Sequence, residues 1–393
     1  LGLVKANISV VVIDAAAKQV LPGDEYALRV SALSLASQHL FESLQVWPEI
    51  IAQRARAYTH MDVRDQDSFG KIAFNSDELD LPHLGHIVEN DIIRYALINE
   101  LEQHSQATLM FDTRYQQIHQ SDNDVFITLD SGEPVIAKLL VAADGANSAI
   151  RKQFNLPITF KDYDHNAIVA TVRTTEPHNN TARQVFLPTG PLAFLPLPDA
   201  NTHSIVWSTS PAHCQTLLAM DDSDFNKAVM AALDGQCGLC EVQSARTAFP
   251  LKMRYAQQWV TGKVVLMGDA AHTIHPLAGL GMNLGLKDAA YLIELLTADT
   301  PNGKKISIML EEIKYNFKVT KIDIFKDEQF KPEFKKLSPF SKIPVIIDHD
   351  SKISLFESGA ILMYLGEKSG KFYHKDQRII INQWLMGQMA YVG

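Results

Sequence analysis

The clearest pattern in the chain is a run of four apolar residues, Val264–Met267, followed at once by Gly268 and Asp269. The apolar run predicts a buried strand, and the glycine and aspartate predict a sharp turn at its end. A glycine-rich loop then leads into a helix predicted over Leu284–Leu296. This geometry suits a dinucleotide. Glycine lets the backbone approach the ligand, a carboxylate accepts hydrogen bonds from ribityl or ribose hydroxyls, and a helix N-terminus faces negative charge.

Two further apolar runs end in an acidic residue. Leu139–Ala143 predicts a strand that ends at Asp144 and Gly145, and Ile8–Ile13 predicts another that ends at Asp14. Taken alone, a strand that ends in an Asp-Gly turn is common and implies no ligand. The order and spacing of these strings along the chain favour a cofactor site over that simpler interpretation.

The strings closely resemble the FAD motifs of the flavoprotein aromatic hydroxylases, above all those of the ubiquinone-biosynthesis branch. The resemblance implies an α/β fold with a doubly wound FAD-binding domain, formed by about residues 1–155 and 250–298. A substrate-domain sheet, about residues 156–249, is inserted between these parts and completes a module of residues 1–298. The resemblance also implies FAD as cofactor, NADPH or another electron donor, and a small-molecule aromatic or quinone-precursor substrate.

The resemblance assigns cofactor contacts residue by residue, but it identifies no catalytic residue. Arg29 matches an arginine that lies along the flavin, with an ordinary surface cation as the alternative. Gly85–Asn90 matches the start of a helix that approaches the cofactor. Phe186–Leu197 matches strands that wall the ring pocket, with plain sheet core as the alternative. The cofactor contacts implied in this way are Asp14, Arg29, Asp144, Gly145, Gly268, Asp269, Pro276, Gly279, Gly281, Met282 and Asn283.

The sequence departs from the family pattern at two places. Members of the family open with a strand and a G-x-G-x-x-G turn, whereas this sequence opens at Leu1–Ala6, which is typical of the helix after that turn. Because the first strand is central in a doubly wound sheet, we expect an opening in the middle of the sheet and weak FAD binding. Leu280 stands where relatives commonly carry glutamine, which removes a polar group near the flavin edge.

The composition changes at about residue 299. Residues 1–299 contain 21 basic and 34 acidic side chains, whereas residues 300–393 contain 15 and 11, so that the net charge changes from −13 to +4. Alanine, abundant before the boundary, occurs after it only at Ala360 and Ala390. Such a shift indicates a separate module.

Residues 299–375 carry the order of elements of a thioredoxin-like α/β domain. The predicted elements are a helix ending at Ile313, strands over Phe317–Ile324, Val345–Ile347 and Ser354–Phe356, and a helix from Glu357 to Gly366. These strings strongly resemble the N-terminal domain of bacterial glutathione transferases. Residues 376–393 resemble the start of the helical domain that follows it in that family.

This second resemblance implies a glutathione site. A cis Pro344 would leave the backbone of the preceding residue free to pair with the cysteinyl unit. Glu357 and Ser358 would hold the γ-glutamyl end at a helix start, with an ordinary helix cap as the alternative. The glutathione contacts implied in this way are Thr300, Asn302, Ile343, Pro344, Glu357 and Ser358.

At the join, the boundary between the two modules, the two resemblances require different conformations of Leu292–Thr297. The hydroxylase motif needs a helix there, whereas a thioredoxin-like domain needs its first strand immediately before Thr300. Leucine and glutamate favour the helix, and a strand would need partners from across the module boundary. We therefore predict that Gly285–Leu296 is helical and that the second sheet lacks a paired strand beside Phe317–Ile324. Glutathione binding should then be weak.

Charge and cysteine content disfavour several function classes. No apolar run approaches the roughly 20 residues of a membrane span, and no signal peptide is recognised. The net charge of −9 argues against nucleic acid or an anionic membrane as the main partner. The three cysteines suit a reducing cytoplasm, and Cys237 and Cys240 form a single C-x-x-C without a second pair, so no metal site is predicted. His272 and His275 are predicted to be loop residues beside the cofactor.

Three functions are consistent with the sequence. The first is flavin-dependent hydroxylation of an aromatic, polyprenyl-phenol precursor of ubiquinone by a cytoplasmic enzyme. Peripheral association with a membrane or with a ubiquinone-synthesis complex remains open. The second is glutathione binding or transfer by the C-terminal module. The third is a chimera of two gene fragments with no enzymatic function.

Overall fold

The computed structural model describes residues 1–274, 279–297, 301–320, 322 and 328–391. The chain forms two compact units, Leu1–Ala289 and Ala290–Gly393. The division falls inside a helix, Leu280–Thr297.

The first unit contains most of the strands. In chain order they are β1 (Val10–Ile13), β2 (Val30–Leu33), β3 (Ala55–Tyr58), β4 (His60–Asp65), β5 (Lys71–Asn75), β6 (Gly85–Glu89), β7 (Ala107–Met110), β8 (Tyr115–Gln120), β9 (Val125–Leu129), β10 (Pro134–Ala137), β11 (Leu140–Ala142), β12 (Ile158–Thr174), β13 (Thr181–Leu187), β14 (Gly190–Pro196), β15 (Thr202–Thr209), β16 (Cys240–Val242), β17 (Thr247–Ala256), β18 (Val260–Thr261), β19 (Val264–Leu266) and β20 (His272–Thr273). The α-helices that begin in this unit are α1 (Gly2–Lys5), α2 (Leu35–Ser43), α3 (Trp47–Gln53), α4 (Asn90–Leu101), α5 (Ala149–Gln153), α6 (Pro211–Ala219), α7 (Asp222–Ala232) and α8 (Leu280–Thr297).

The largest sheet has nine strands in the order β20-β17-β12-β15-β14-β13-β4-β5, with β16 paired to β12. One face of this sheet packs on α6 and α7 in a core that includes Ile168, Trp207, Leu217 and Phe225. Side chains in a strand alternate between the two faces, so the residues between these core positions project to the opposite side. Most of its strands fall within residues 156–249, where the resemblance places the substrate sheet, whereas β4, β5 and β20 lie outside that range.

Helices α6 and α7 begin where the sequence supplies caps. The Ser210 hydroxyl accepts a hydrogen bond from the His213 amide, and Pro211 follows it at the first helical position. The Asp221 carboxylate accepts from the Asp224 amide in the same way. These local signals start both helices against the buried face of the sheet.

The parallel strands of the FAD-binding part form two separate sheets, as the sequence predicts. β1 pairs in parallel with β7, and β11 pairs in parallel with β19, whose other neighbour is β18. Ile13 and Met110 from the first sheet nevertheless pack against the core that contains Ala142 and Leu266 from the second. The two sheets therefore border one hydrophobic core, and no strand among the described residues joins them.

The second unit is small and mostly helical in the part of the chain that the structure describes. Its elements are α9 (Pro301–Glu312), α10 (Pro332–Leu337), β21 (Val345–Asp348), β22 (Ile353–Phe356), α11 (Ser358–Ser369) and α12 (Arg378–Tyr391). β21 and β22 are antiparallel, and Ile346 and Leu355 from them pack on Ile306, Ile361 and Leu365. The peptide bond between Ile343 and Pro344 is cis, as predicted.

The structure decides the conflict at the join. Leu292–Thr297 forms the last turns of α8, so the helix predicted over Gly285–Leu296 is confirmed and begins earlier, at Leu280. The strand predicted over Phe317–Ile324 is wrong in its described part, because residues 317–320 have no regular structure. Lys321 and residues 323–324 lie outside the described residues. A strand needs a hydrogen-bonded partner, and the segment that would supply one is helical.

Candidate cofactor site

The predicted turn after β19 is present and is tightly held. Gly268 adopts φ +59°, a left-handed conformation that favours glycine, and its amide donates to Asp288 Oδ2 at 3.0 Å. Asp269 follows with an exposed side chain. The surrounding protein partly desolvates this carboxyl and raises its pKa, while His272, Arg29 and Arg254 act in the opposite direction. The carboxylate therefore faces cationic groups at the mouth of the site.

Asp288 on α8 is the residue that organises this turn. Its Oδ2 atom also lies 2.7 Å from His272 Nε2, and the imidazole of His272 packs against Trp259. His272 is 2% exposed and lies in β20, so the prediction that it is a loop residue is wrong, while its place beside the cofactor stays a prediction. Sequence reasoning missed Asp288. The signal was present, since Gly281, Gly285 and Asp288 occupy one face of a helix.

Gly279 and Asn283 join α8 to the end of β2. A Cβ atom at Gly279 would lie 2.6 Å from the carbonyl oxygen of Ala32, so only glycine permits this approach. The Asn283 amide donates to Ala32 O at 2.8 Å and to Gly279 O at 3.0 Å, and its Oδ1 accepts from the Ser34 amide and the Ser37 hydroxyl. This amide therefore has a structural role, and its contact to a cofactor stays a prediction.

The other predicted glycine and apolar positions on α8 differ in their surroundings. Met282 packs against the core that contains Leu33 and Phe41. A Cβ atom at Gly281 would meet nothing within 4 Å, which leaves open space at the start of the helix. Pro276 and His275 lie outside the described residues.

The Asp144 turn is connected directly to the Gly268 turn. Asp144 accepts from the Ile150 amide at 3.1 Å, and Gly145 has φ +80°. Buried Arg151 donates to the carbonyl oxygen of Ala146 at 2.9 Å and to that of Ala270 at 2.6 Å. The two strings that the sequence places more than a hundred residues apart are thus brought together by one guanidinium group.

Arg29 and Asp14 lie at different ends of the FAD-binding part. The Arg29 guanidinium is 5.8 Å from the centre of the Phe249 ring, on the substrate sheet. Asp14 follows β1 and pairs with Arg94 at 2.8 Å, while its other oxygen accepts from the Ala16 amide. Arg29 thus lies close enough to Asp269 to affect its carboxyl group, whereas Asp14 lies at the end of β1 in the β1–β7 sheet.

The loop that carries Arg29 is fixed by a buried ion pair. Glu89 is 2% exposed and accepts from Arg54 Nε at 2.8 Å and Nη2 at 3.0 Å, and from the Ala27 amide at 2.7 Å. The same guanidinium donates to the carbonyl oxygens of Gly23 and Asp24. The pair therefore ties the loop before β2 to the end of β6.

The helix start predicted at Gly85–Asn90 is mostly wrong. Gly85–Glu89 is β6, and α4 begins at Asn90. β6 lies between β2 and β3 with all five residues buried, so pairing on both sides decides its conformation. Burial also lowers the pKa of His86 in this strand to about 4, and the charge of His83 acts in the same direction.

The C-x-x-C pair is a pair of buried thiols. Cys237 and Cys240 belong to the core of the substrate sheet, and burial raises the pKa of Cys240 to about 12. The described residues bring together no group of three or more His, Cys, Asp or Glu side chains that could hold a metal ion. No described helix is both long and apolar enough to span a bilayer.

The second unit brings together part of the predicted glutathione site. Ser358 Oγ donates to Asn302 Oδ1 at 3.2 Å, and Glu357 directly before α11 has φ +68°. Ile343 and Pro344 precede β21. Thr300 lies outside the described residues.

Comparison with known proteins gives the family. The family described as "FAD binding domain" matches residues 2–305. The 3-demethoxyubiquinol 3-hydroxylase of Escherichia coli strain K12 is 36% identical over 297 residues, which are 75% of this chain and 75% of that protein. The chain belongs to the ubiquinone-biosynthesis family of FAD-dependent hydroxylases. Another relative in this family is the human mitochondrial ubiquinone biosynthesis monooxygenase COQ6, 35% identical over 342 residues, or 76% of this chain and 72% of that one.

Two further comparisons concern the fold and the second unit. PqsL of Pseudomonas aeruginosa, a probable FAD-dependent monooxygenase, aligns with a TM-score of 0.64 at 16% identity, over 97% of this chain and 94% of that chain. The family described as "Glutathione S-transferase, N-terminal domain" matches residues 294–367. The two family matches share residues 294–305, so this member of the hydroxylase family is fused to a thioredoxin-like domain at the end of α8.

Proposed function

We propose that this chain hydroxylates an aromatic precursor of ubiquinone with FAD as cofactor and with NADPH or another electron donor. The observation that supports this most strongly is the Gly268-Asp269 turn, which Asp288 and Arg151 hold beside Arg29. The relatives' names supply the substrate class. When bound, FAD would supply the activation of molecular oxygen.

The residues present fit the flavin part of FAD. Asp269 would accept hydrogen bonds from ribityl hydroxyls, and the open space at Gly281 leaves room beside the N-terminus of α8. The positive end of that helix would stabilise negative charge on a ligand. Arg29 and Phe249 would bound the site on the side of the substrate sheet and exclude water from it. These residues account for contacts to the flavin and ribityl parts of the cofactor.

Asp269→Ala should weaken FAD binding at least about tenfold, because it removes a charge-assisted acceptor worth roughly 1.5–3 kcal/mol. Cys237→Ala should change the affinity less than twofold, since that thiol is buried in the substrate-sheet core and does not belong to the site. Titration of the flavin-free protein with FAD, followed by flavin fluorescence, measures both constants. Equal effects of the two substitutions would refute the assigned site.

Glutathione is the second candidate ligand, favoured by the contact between Asn302 and Ser358. We expect weak binding, because the described part of this unit supports the site with a sheet of only two strands. The 393-residue protein should therefore pass through immobilised glutathione with little retention. Retention that free glutathione reverses and that Ser358→Ala abolishes would establish a real glutathione site.

Association with a membrane surface or with other enzymes of ubiquinone synthesis is part of the first proposal. A polyprenyl-phenol precursor carries a hydrocarbon tail, which favours an apolar environment such as a bilayer. Activity with precursor delivered in vesicles, compared with precursor in detergent, measures this association.

A further inference from the structure

Two cations and an exposed aromatic ring lie together where β12 and β17 approach the candidate cofactor site. Phe160 of β12 lies directly opposite Arg254 of β17, and Asp162 lies opposite Lys252. Residues that face each other on neighbouring antiparallel strands project to the same side of the sheet. We call Phe160, Lys252 and Arg254 the cationic strip.

The outer part of the cationic strip is open to solvent. Lys252 Nζ lies 5.6 Å from the centre of the Phe160 ring and 3.3 Å from Asp162 Oδ2. Phe160 is 52% exposed, and the side chains of Lys252 and Asp162 are 32% and 40% exposed. An exposed ion pair of this kind contributes little to stability, so a phosphate group of a ligand can replace Asp162 as the partner of Lys252.

The inner part of the cationic strip reaches the two turns of the candidate cofactor site. Arg254 Nη2 donates to Asn147 Oδ1 at 3.4 Å, in the turn that follows β11, and Arg254 forms no ion pair with a described carboxylate. The charge of Arg254 also opposes the desolvation that raises the pKa of Asp269. Ala256, on the same side of β17, packs in the core that contains Ala142. The strip therefore begins beside these turns and extends away from them along β12 and β17.

The chemistry of the cationic strip selects a small anion with planar rings. Arg254 and Lys252 are two residues apart on one strand, which is about 7 Å, so they suit a ligand with more than one phosphate group. The exposed ring of Phe160 suits stacking of a planar base. The net charge of −13 over residues 1–299 disfavours a long polyanion such as nucleic acid.

We propose that the cationic strip binds a reduced nicotinamide dinucleotide, with its phosphates at Arg254 and Lys252 and its adenine ring on Phe160. This inference rests on the proposed function, which needs an electron donor beside the flavin. It selects a nicotinamide dinucleotide over other donors and gives it a binding surface separate from the contacts assigned to FAD.

The test measures NADPH binding to the flavin-free, full-length protein by calorimetry. Lys252→Gln should weaken binding about tenfold, because it removes a charge-assisted contact to phosphate. Phe160→Ser should weaken binding by a similar factor through the loss of stacking, whereas Phe160→Tyr should retain the affinity. Lys161→Gln is the matched control, because it removes the same charge beside Phe160, while Lys161 pairs with Met253 and projects to the other side of the sheet.

Unchanged NADPH affinity in Lys252→Gln and Phe160→Ser, or no NADPH binding by the unsubstituted protein, would overturn the inference. Equal losses in Lys161→Gln and Lys252→Gln would also overturn it, because net charge alone would then explain the effect. An equal loss of FAD affinity in Lys252→Gln would assign the cationic strip to FAD instead. Since NADPH binding is measured without flavin, a protein that binds FAD but not NADPH would refute the strip and leave the proposed function with another donor.

Discussion

A polypeptide of residues 1–393 should bind FAD at least about a hundredfold more weakly than the Escherichia coli relative. Between the sheets β1–β7 and β11–β19–β18, which border one core, the described residues include no strand of the kind that the family pattern implies. That strand leads into the glycine-rich turn whose backbone amides bind the pyrophosphate. Without two or three charge-assisted hydrogen bonds, each about 1.5–3 kcal/mol, binding is weaker by roughly 3–9 kcal/mol.

The visible absorption spectrum of the purified protein and an FAD titration measure this difference. A matched control is the same polypeptide preceded by the strand, turn and helix start of the relative, which should regain most of the affinity. Purification of residues 1–393 as a yellow protein with stoichiometric FAD would show that the divided sheet binds the cofactor without that segment.

Arg54→Ala should destabilise the first unit by about 3–5 kcal/mol. The substitution leaves the carboxylate of Glu89 buried at 2% exposure without its cationic partner, and an unpaired buried charge is costly. It also releases the carbonyl oxygens of Gly23 and Asp24, and with them the loop that positions Arg29. Urea unfolding, followed by tryptophan fluorescence, gives the change in unfolding free energy.

The control for this prediction is Lys227→Ala. Lys227 pairs with Asp224 at 2.8 Å, but both side chains are more than 60% exposed, so its removal should cost less than about 1 kcal/mol. Similar destabilisation by the two substitutions would mean that the Arg54–Glu89 pair contributes no more than a surface ion pair.

Much of the predicted local structure follows from residues that are close together in the sequence. The turn at Gly268 and the helix over Leu292–Thr297 follow from short-range preferences, namely a glycine that tolerates positive φ and residues that favour a helix. The divided parallel sheet followed from the family pattern. In each of these cases the decisive residues are close together in the sequence or belong to one motif.

The errors arose where distant pairing decides the conformation. Gly85–Glu89 became a strand because β2 and β3 pair with it on both sides, and residues 317–320 form no strand because the expected partner segment, Leu292–Thr297, is helical. Asp288 was missed because its partners, His272 and the Gly268 amide, lie 16 and 20 residues away in sequence. The sequence alone does not show which distant backbone amide will donate a hydrogen bond to a carboxylate on a helix.

The four hydrogen bonds of Asn283 fix the rotation of α8 about its own axis. One residue of helix corresponds to about 100° of rotation, so a shift of one position would turn the amide away from Ala32 and Ser34 together. The same shift would carry Asp288, more than one turn further along, away from Gly268. A single side chain that touches β2 therefore sets the angle at which a different side chain holds the turn of Asp269. Substitutions at position 283 should then change the position of the Gly268-Asp269 turn, with which the Asn283 side chain forms none of its four hydrogen bonds.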